Sequence, residues 1–431
     1  MKKWLIIAHC MNMDGQAASH HVSDKLPYLK KLGIQPILLS APSGSKDSSF
    51  EHHQIFSFAP SGLKFESRHY LRNKNLPKWM IESMLAFFSV AILPFYCLEK
   101  LFIRLDSQWS WFASCYLKGR ELLRSQQIDH IYVLGGASSG FLAACLLGRS
   151  FATPLISECF DPLVSSDWKR GRLSYKWNLW IEKKICAYSS LVIWYTNGAR
   201  GEALRRNPQL ADRGVVVRPG MSPPDFNDAT HKHGEKLRFC YFGGLSEERS
   251  LSLFLRPLVE FFESNKELKG KIEVHAYGGD PDELTRRAIL LLPEGTVFTH
   301  GRLEYDPHLG KSGRQQVLEE MRKADYLLLI HGQGDICKLY IPSKSYEYIW
   351  SRRPIVLITP CPDEWTGLLN PKEHLILNQE NSKEIEGAIE RAVLEWKTGK
   401  VEDRTLTQPF SAEEAVEAIV ELASQSSIPL R

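Results

Sequence analysis

Lys344 and Glu347 stand three residues apart, just after Pro342, in the stretch from Ala324 to Ile358. At that spacing a cation and a carboxylate share one face of a helix. Beside a nucleotide, the first could meet a phosphate and the second sugar hydroxyls. Gly332 and Gly334 precede them and let a backbone come close to a ligand. Farther upstream, Arg249 follows the pair Gly243-Gly244, and an arginine gives charge-assisted hydrogen bonds to phosphate. The plainer reading of Lys344 and Glu347 is a solvated surface pair contributing about 0.3–0.5 kcal/mol.

The elements that must position these residues read as alternating strands and helices. Tyr326 to Ile330 is a short apolar run, as a buried parallel strand is. A glycine loop follows at His331–Asp335, then a helix predicted over Ser343–Ser351, which Pro354 ends, and a second apolar run from Ile355 to Ile358. In such βαβ units ligands sit at the carboxyl ends of the strands. Lys236 to Gly243 predicts a strand, and a helix from about Glu248 to Ser264 places Arg249 in its first turn. Val297 to Thr299 leads into His300-Gly301-Arg302, with Arg302 expected to aim at the ligand. Ser411 opens a closing helix, with Glu414 three residues on as a capping box.

The first half repeats the pattern. Trp4 to Ala8 reads as a strand, His9 to Gly15 as a loop, Gln16 to Leu32 as one helix stopped by Gly33, and Ile37 to Leu39 as the next strand. His20 and His21 lie on that helix, where an acceptor contact competes with a plain exposed surface. Ile128 to Leu134 ends in the small-residue loop Gly135–Gly140, a ready site for an anion or hydroxyl. Its spacing is not the dinucleotide fingerprint, so no nicotinamide cofactor is expected. Pro154 to Ser157 is followed by Glu158 and Asp161, two acids three apart that could hydrogen-bond an acceptor sugar. Asp161 ahead of Pro162 also reads as a helix cap.

A chain of 431 residues implies two domains of roughly 200 residues each. The predicted division is 1–221, a linker rich in Pro, Asn and Asp, then 236–405, and a final segment 406–431. A net charge of +4 is too mild to argue for nucleic acid, and nine cysteines scattered singly, without zinc spacing, predict neither a structural metal nor a disulfide framework. One stretch is unusual: within an excursion at 76–112, Trp79 to Leu105 is strongly apolar. The fifteen residues from Met84 to Leu98 are interrupted only by Ser89 and Pro94. That is short of the ~20 that span a bilayer, and Pro94 is expected to kink it. Basic and aromatic residues flank it. Two readings stay open: a helix lying on an anionic membrane surface, or a buried core helix pair.

Pro342, Ser343, Lys344, Glu347, Tyr348, Pro354 and Ile355 together resemble the donor-binding region of the large retaining family of GT-B glycosyltransferases, the family-4-like group that includes sugar transferases of bacterial polysaccharide and glycolipid assembly. The resemblance covers most of the chain and is more specific over residues 237–358. It implies an α/β fold of two doubly wound domains facing across a cleft, with the last helix packing back on the first domain. It also implies transfer from a nucleoside-diphosphate sugar to a glycan or lipid-linked acceptor, retaining, without metal or cofactor, in the cytoplasm and at the inner membrane face. Arg249 and Lys344 would stabilise the diphosphate, and Glu347 would hold the ribose. Gly15, Gly243, Gly244, Gly301, Arg302, Gly332 and Ser343 would complete the donor site, while His20, Glu158 and Asp161 would serve the acceptor. The sequence departs from the family pattern at Gly244, Leu339 and Phe160, where an arginine, a glutamate and an arginine are usual, and at Leu134-Gly135, where relatives carry a histidine. An epimerase acting on a sugar nucleotide and a non-catalytic sugar-nucleotide binder are the alternatives.

Overall fold

The computed structural model describes residues 1–13, 17–74, 76–135, 137–165, 171–226, 229–406 and 411–426. The chain divides into two compact units, one formed by 1–221 with 411–431, the other by 222–410.

The first unit is built on β1 (Lys2–Ile7), β2 (Ile34–Ser40), β3 (Glu51–Gln54), β4 (His130–Leu134), β5 (Leu155–Cys159), β6 (Leu191–Trp194) and β7 (Gly214–Val216). They form one parallel sheet in the order β3-β2-β1-β4-β5-β6-β7. Parallel strands need long crossovers. These are supplied by α1 (Ala17–Ser23), α2 (Leu26–Lys31), α3 (Pro60–Arg72), α4 (Lys78–Phe102), α5 (Trp111–Ser125), α6 (Ser138–Phe151), α7 (Arg172–Tyr188) and α8 (Asn197–Arg206). With helices on both faces, the central strands are mainly apolar, and β1, β4 and β5 bury every residue from Trp4, His130 and Leu155 onward, whereas the edge strand β3 is polar.

The second unit contains β8 (Leu237–Gly243), α9 (Ser252–Ser264), β9 (Ile272–Gly278), α10 (Glu283–Ile289), β10 (Val297–Gly301), α11 (Gly313–Lys323), β11 (Tyr326–Ile330), α12 (Lys344–Trp350), β12 (Ile355–Thr359), β13 (Leu375–Asn378) and α13 (Ser382–Lys397). Its sheet is again wholly parallel, ordered β10-β9-β8-β11-β12-β13. Phe239, Tyr241, Leu328, Val356 and Ile358 form its core with Phe254, Leu258 and Phe261 of α9. The chain then returns to the first unit as α14 (Ala412–Gln425), where Val416, Ile419 and Ala423 join the core around Trp4 and Tyr132. Ser411 caps this helix through the Glu414 amide at 3.2 Å.

Several elements differ from the sequence expectation. The single helix predicted over Gln16–Leu32 is two, broken at Asp24-Lys25 because Pro27 lacks an amide hydrogen to continue the ladder and sits in the first turn of α2. The weakly patterned region after Phe50 holds β3 and α3. Pro94 does not interrupt α4, which runs for 25 residues through it. The helix expected from Glu248 begins instead at Ser252.

Candidate functional site

In both units the strand order reverses between the first and fourth strands of the sheet, β1 and β4 in one and β8 and β11 in the other. Chain connections diverge there and leave a crevice beyond the carboxyl ends. In the second unit those ends are Gly243 and Ile330, followed by Gly244 and by His331-Gly332.

Gly243 has a φ of +133°, and a Cβ there would lie 3.1 Å from Lys344 Nζ. Gly332 has a φ of +132°, and a Cβ there would lie 3.2 Å from Cys337 Sγ and 3.6 Å from Arg249 Cγ. Both positions therefore need glycine on conformational and steric grounds. The same distances locate the two cations: Lys344 beside the end of β8, Arg249 beside the end of β11.

Lys344 is the first residue of α12. Its ammonium donates to the Phe242 carbonyl at 3.0 Å and sits 4.3 Å from the centre of the Tyr241 ring. Burial, then the nearby Arg249 guanidinium, push its pKa down to about 7, while Glu347 opposes the shift. Tyr241 is held beneath it by donating its hydroxyl to the Gly244 carbonyl at 3.0 Å. Tyr348, one helical turn on, accepts from the Phe242 amide and donates to the Leu328 carbonyl, and so ties α12 to β8 and β11.

Arg249 is exposed and lies in a tight turn, its amide donating to the Ser246 carbonyl at 2.8 Å, rather than in the first turn of α9. Among the described residues no carboxylate pairs with it. Glu347 is mostly buried and engaged by Arg314, the guanidinium standing 2.7 Å from the carboxylate. This partner lies thirty-three positions away on α11, beyond the reach of local spacing. Glu347 and Lys344 thus share α12 but do not pair directly.

Behind the site, His331 is fully buried. Trp365 Nε1, a donor only, lies 3.2 Å from His331 Nδ1, so Nδ1 accepts and Nε2 carries the proton, donating to the Tyr340 carbonyl at 3.0 Å. Burial, outweighing the bond to Tyr340 and helped by Arg249 and Lys344, lowers its pKa to about 4. This neutral histidine fixes the 331–340 loop. Ser343 is partly exposed directly before α12.

Other residues named from the sequence lie elsewhere. Arg302 follows Gly301 at the end of β10, the outer strand, with 84% of its side chain exposed and Glu304 4.0 Å away. Two strand spacings of about 4.8 Å separate β10 from β8, and no contact joins Arg302 to Lys344 or Arg249. Gly15 lies outside the described residues. His20 on α1 is half-buried. His21 is half-buried as well: its ring packs edge-on against Phe160 and Tyr195, and burial followed by Lys25 lowers its pKa to about 3.

Glu158 does not stand open at the strand end as expected. It is completely buried, accepting from Lys25 Nζ at 2.5 Å, from Tyr195 Oη at 2.5 Å and from the Tyr132 hydroxyl. A carboxylate so enclosed must be satisfied internally, and these three donors occupy it, leaving it turned away from an acceptor. Asp161 is exposed in a loop, and the described residues 162–165 that follow it are not helical. At the first unit's own reversal point, His9 follows β1 and meets Glu66 of α3 at 3.2 Å. Burial works against its charge, but bonds to Cys10 and Glu66 hold its pKa up at about 9.

No protein-family model matches the sequence, and no curated protein resembles it in sequence. Solved structures do resemble it in shape. HepE of Anabaena in complex with UDP superposes with a TM-score of 0.61 at 12% identity, over 99% of this chain and 100% of that one. The α,α-trehalose-6-phosphate synthase of Burkholderia multivorans gives 0.59 at 10% identity, over 99% and 97%. Staphylococcus aureus TarM, in complex with fondaparinux, α-GlcNAc-glycerol and UDP, gives 0.56 at 10% identity, over 98% and 99%. The fold is GT-B. In this GT-B chain the reversal point of the second sheet is where Gly243, Gly332, Arg249 and Lys344 come together, with Glu347 about one turn along α12 from Lys344.

Proposed function

We propose that the protein transfers a sugar from a nucleoside-diphosphate sugar to a glycan or lipid-linked acceptor. The observation that carries this reading is the convergence of Arg249 and Lys344, two cations with no carboxylate directly on either among the described residues, between the Gly243 end of β8 and the Gly332 loop after β11. In the reaction the bond between the sugar's anomeric carbon and the diphosphate oxygen breaks, and the acceptor hydroxyl oxygen bonds to that carbon as its proton passes to an oxygen of the departing diphosphate. The diphosphate leaves with increased charge, and Arg249 and Lys344 stabilise it. Glu347, oriented by Arg314, takes the ribose hydroxyls, with Ser343 and Gly244 completing the donor site. His20 and Asp161 of the first unit serve the acceptor. HepE binds UDP and UDP-glucose, so a uridine nucleotide is the first donor to test here. The transfer retains anomeric configuration and, with two protein cations on the leaving group, proceeds without a divalent metal.

The test is titration with UDP and UDP-glucose, followed by incubation with glycan acceptors in the presence of a chelator. Hydrogen bonds to charged groups contribute about 1.5–3 kcal/mol each, so Arg249→Ala and Lys344→Ala should each weaken UDP by about tenfold to a hundredfold. Unchanged UDP affinity in both variants would defeat the site assignment. Conversion of the sugar nucleotide with no acceptor present would mark an epimerase, and binding without turnover on any acceptor would mark a non-catalytic protein.

A further inference from the structure

The helix α4 runs 25 residues from Lys78 to Phe102, about 37 Å at 1.5 Å per residue, and is long and apolar enough to cross a bilayer. Almost none of it is buried. At 100° per residue, Ile81, Ile92 and Glu99 fall on one narrow stripe, which is the covered one. Phe87, Val90, Leu98 and Leu101 lie on the other side and are 79%, 71%, 56% and 64% exposed. An uncovered apolar strip of this length on a folded protein marks a surface that is covered by something else.

The topology decides how a bilayer could use it. Strand β3 precedes α4 and strand β4 follows it, and both belong to one sheet through β2 and β1. A single crossing would place β3 and β4 on opposite sides of the membrane, which the sheet forbids. The helix must therefore lie along the surface. It is also held rigidly. Glu99 accepts from the Ser61 amide at 2.8 Å, the Ser61 hydroxyl at 2.5 Å and Trp109 Nε1 at 2.8 Å, fastening α4 to α3. Glu66 of α3 is bound by His9 and by both the amide and hydroxyl of Ser57, fastening α3 to the end of β1.

The charges indicate what lies beneath. Between positions 60 and 106 the sequence has seven Lys and Arg against four Asp and Glu. Two of those acids, Glu66 and Glu99, are buried and bonded. Exposed bases stand at both ends of the strip: Arg68, Arg72, Lys74 and Lys78 at one, Arg104 at the other. Glu82 and Asp106 are the exposed acids nearby. A second copy would pair two such helices about a two-fold axis, antiparallel, setting the basic cluster of one against the basic end of the other. An anionic lipid surface instead neutralises both ends while its acyl chains receive the apolar strip.

We infer that α4 is a monotopic membrane anchor that lies in the plane of an anionic leaflet and seats the first unit upon it. Cys97 provides a native probe, the exposed cysteine on the free side of α4 among thiols that are otherwise buried or half-buried. The experiment labels Cys97 of the full chain with an environment-sensitive fluorophore and measures flotation with vesicles of phosphatidylcholine, alone and with added phosphatidylglycerol. Flotation with the anionic vesicles and a blue-shifted emission are expected. Combined Phe87→Ser, Leu98→Ser and Leu101→Ser should abolish both while leaving the thermal transition in place. Combined Arg68→Glu, Arg72→Glu and Lys74→Glu should weaken anionic-vesicle binding by about a hundredfold, since each base near such a surface contributes about fivefold. No flotation with either vesicle, or flotation that the apolar substitutions leave unchanged, overturns the inference. A blue shift on concentration without lipid, with sedimentation as a dimer, overturns it in favour of a second copy.

Discussion

Raising the pH should loosen UDP from this protein, and the cause is one lysine. Lys344 carries an ammonium that burial and Arg249 destabilise, so its pKa falls from 10.5 to about 7. A diphosphate placed between the two cations reverses the balance and draws the proton back. Above pH 7 the free protein holds Lys344 largely neutral, while the complex needs it charged, so binding must take up a proton. Each pH unit then costs about 1.36 kcal/mol, or tenfold in Kd. Between pH 7 and 9, where a phosphate with a second pKa near 6 is fully ionised, the wild-type Kd should rise by up to about a hundredfold. Titration calorimetry in two buffers of different ionisation enthalpy should show proton uptake approaching one at pH 8. Lys344→Met should bind weakly with a flat pH profile, and Lys344→Arg should be flat as well because arginine does not titrate here. Folding stability of the free protein moves the opposite way. The unfolded chain binds the Lys344 proton up to its ordinary pKa and the folded chain does not, so stability from this group rises between pH 7 and 10.5. It is absent below pH 7, and its full span is at most about 5 kcal/mol by the same conversion. A wild-type Kd constant within a factor of two from pH 7 to 9, with no proton uptake, would refute the placement of Lys344 against the diphosphate.

Arg314→Ala should release the Glu347 carboxylate and weaken UDP by about twofold to fivefold, the range of a partly exposed ion pair, while leaving pyrophosphate binding unchanged; competition titrations separate the two. Gly332→Ala forces a Cβ to within 3.2 Å of Cys337 Sγ at a φ of +132°, so it should displace the loop beside Arg249 and reduce UDP affinity more than thermal stability. Lys25→Met leaves Glu158 with two phenols and no cation in a fully buried setting, and should destabilise the fold by about 3–5 kcal/mol in denaturant melts. Adding Glu158→Leu to Lys25→Met should recover much of that loss, whereas an acceptor-binding Glu158 would show its deficit in acceptor KM with stability intact.

The parallel architecture was legible where a strand is a short apolar run between polar, glycine or proline residues, as β1, β11 and β12 are and the polar edge strand β3 is not. Tyr326–Ile330 and Ile355–Ile358 coincide with observed strands nearly residue for residue. Boundaries failed where local chemistry is subtler than periodicity. Pro27 breaks a helix that its apolar spacing would continue, whereas Pro94 leaves a longer one unbroken. Proline in a helix interior removes one hydrogen bond, and the remaining ladder of a 25-residue helix carries α4 past that loss.

The site was legible to the extent that its residues are local in sequence. Lys344 and Glu347 share one helix, and a glycine at a strand end is visible without coordinates. The partners that set their chemistry are not local: Tyr241 beneath Lys344, Arg314 on Glu347, Trp365 fixing the tautomer of His331. Such contacts depend on which strands become neighbours, and the reversal of strand order at β8 and β11 appears only in the assembled sheet. Glu158 shows the converse. An acid at a strand's carboxyl end suggested substrate contact, yet Tyr132 on β4 and Tyr195 beyond β6 flank it and complete its hydrogen bonding from within. Spacing along a chain can place a charge at the edge of a sheet; whether that charge turns outward is decided by the side chains of the two strands beside it.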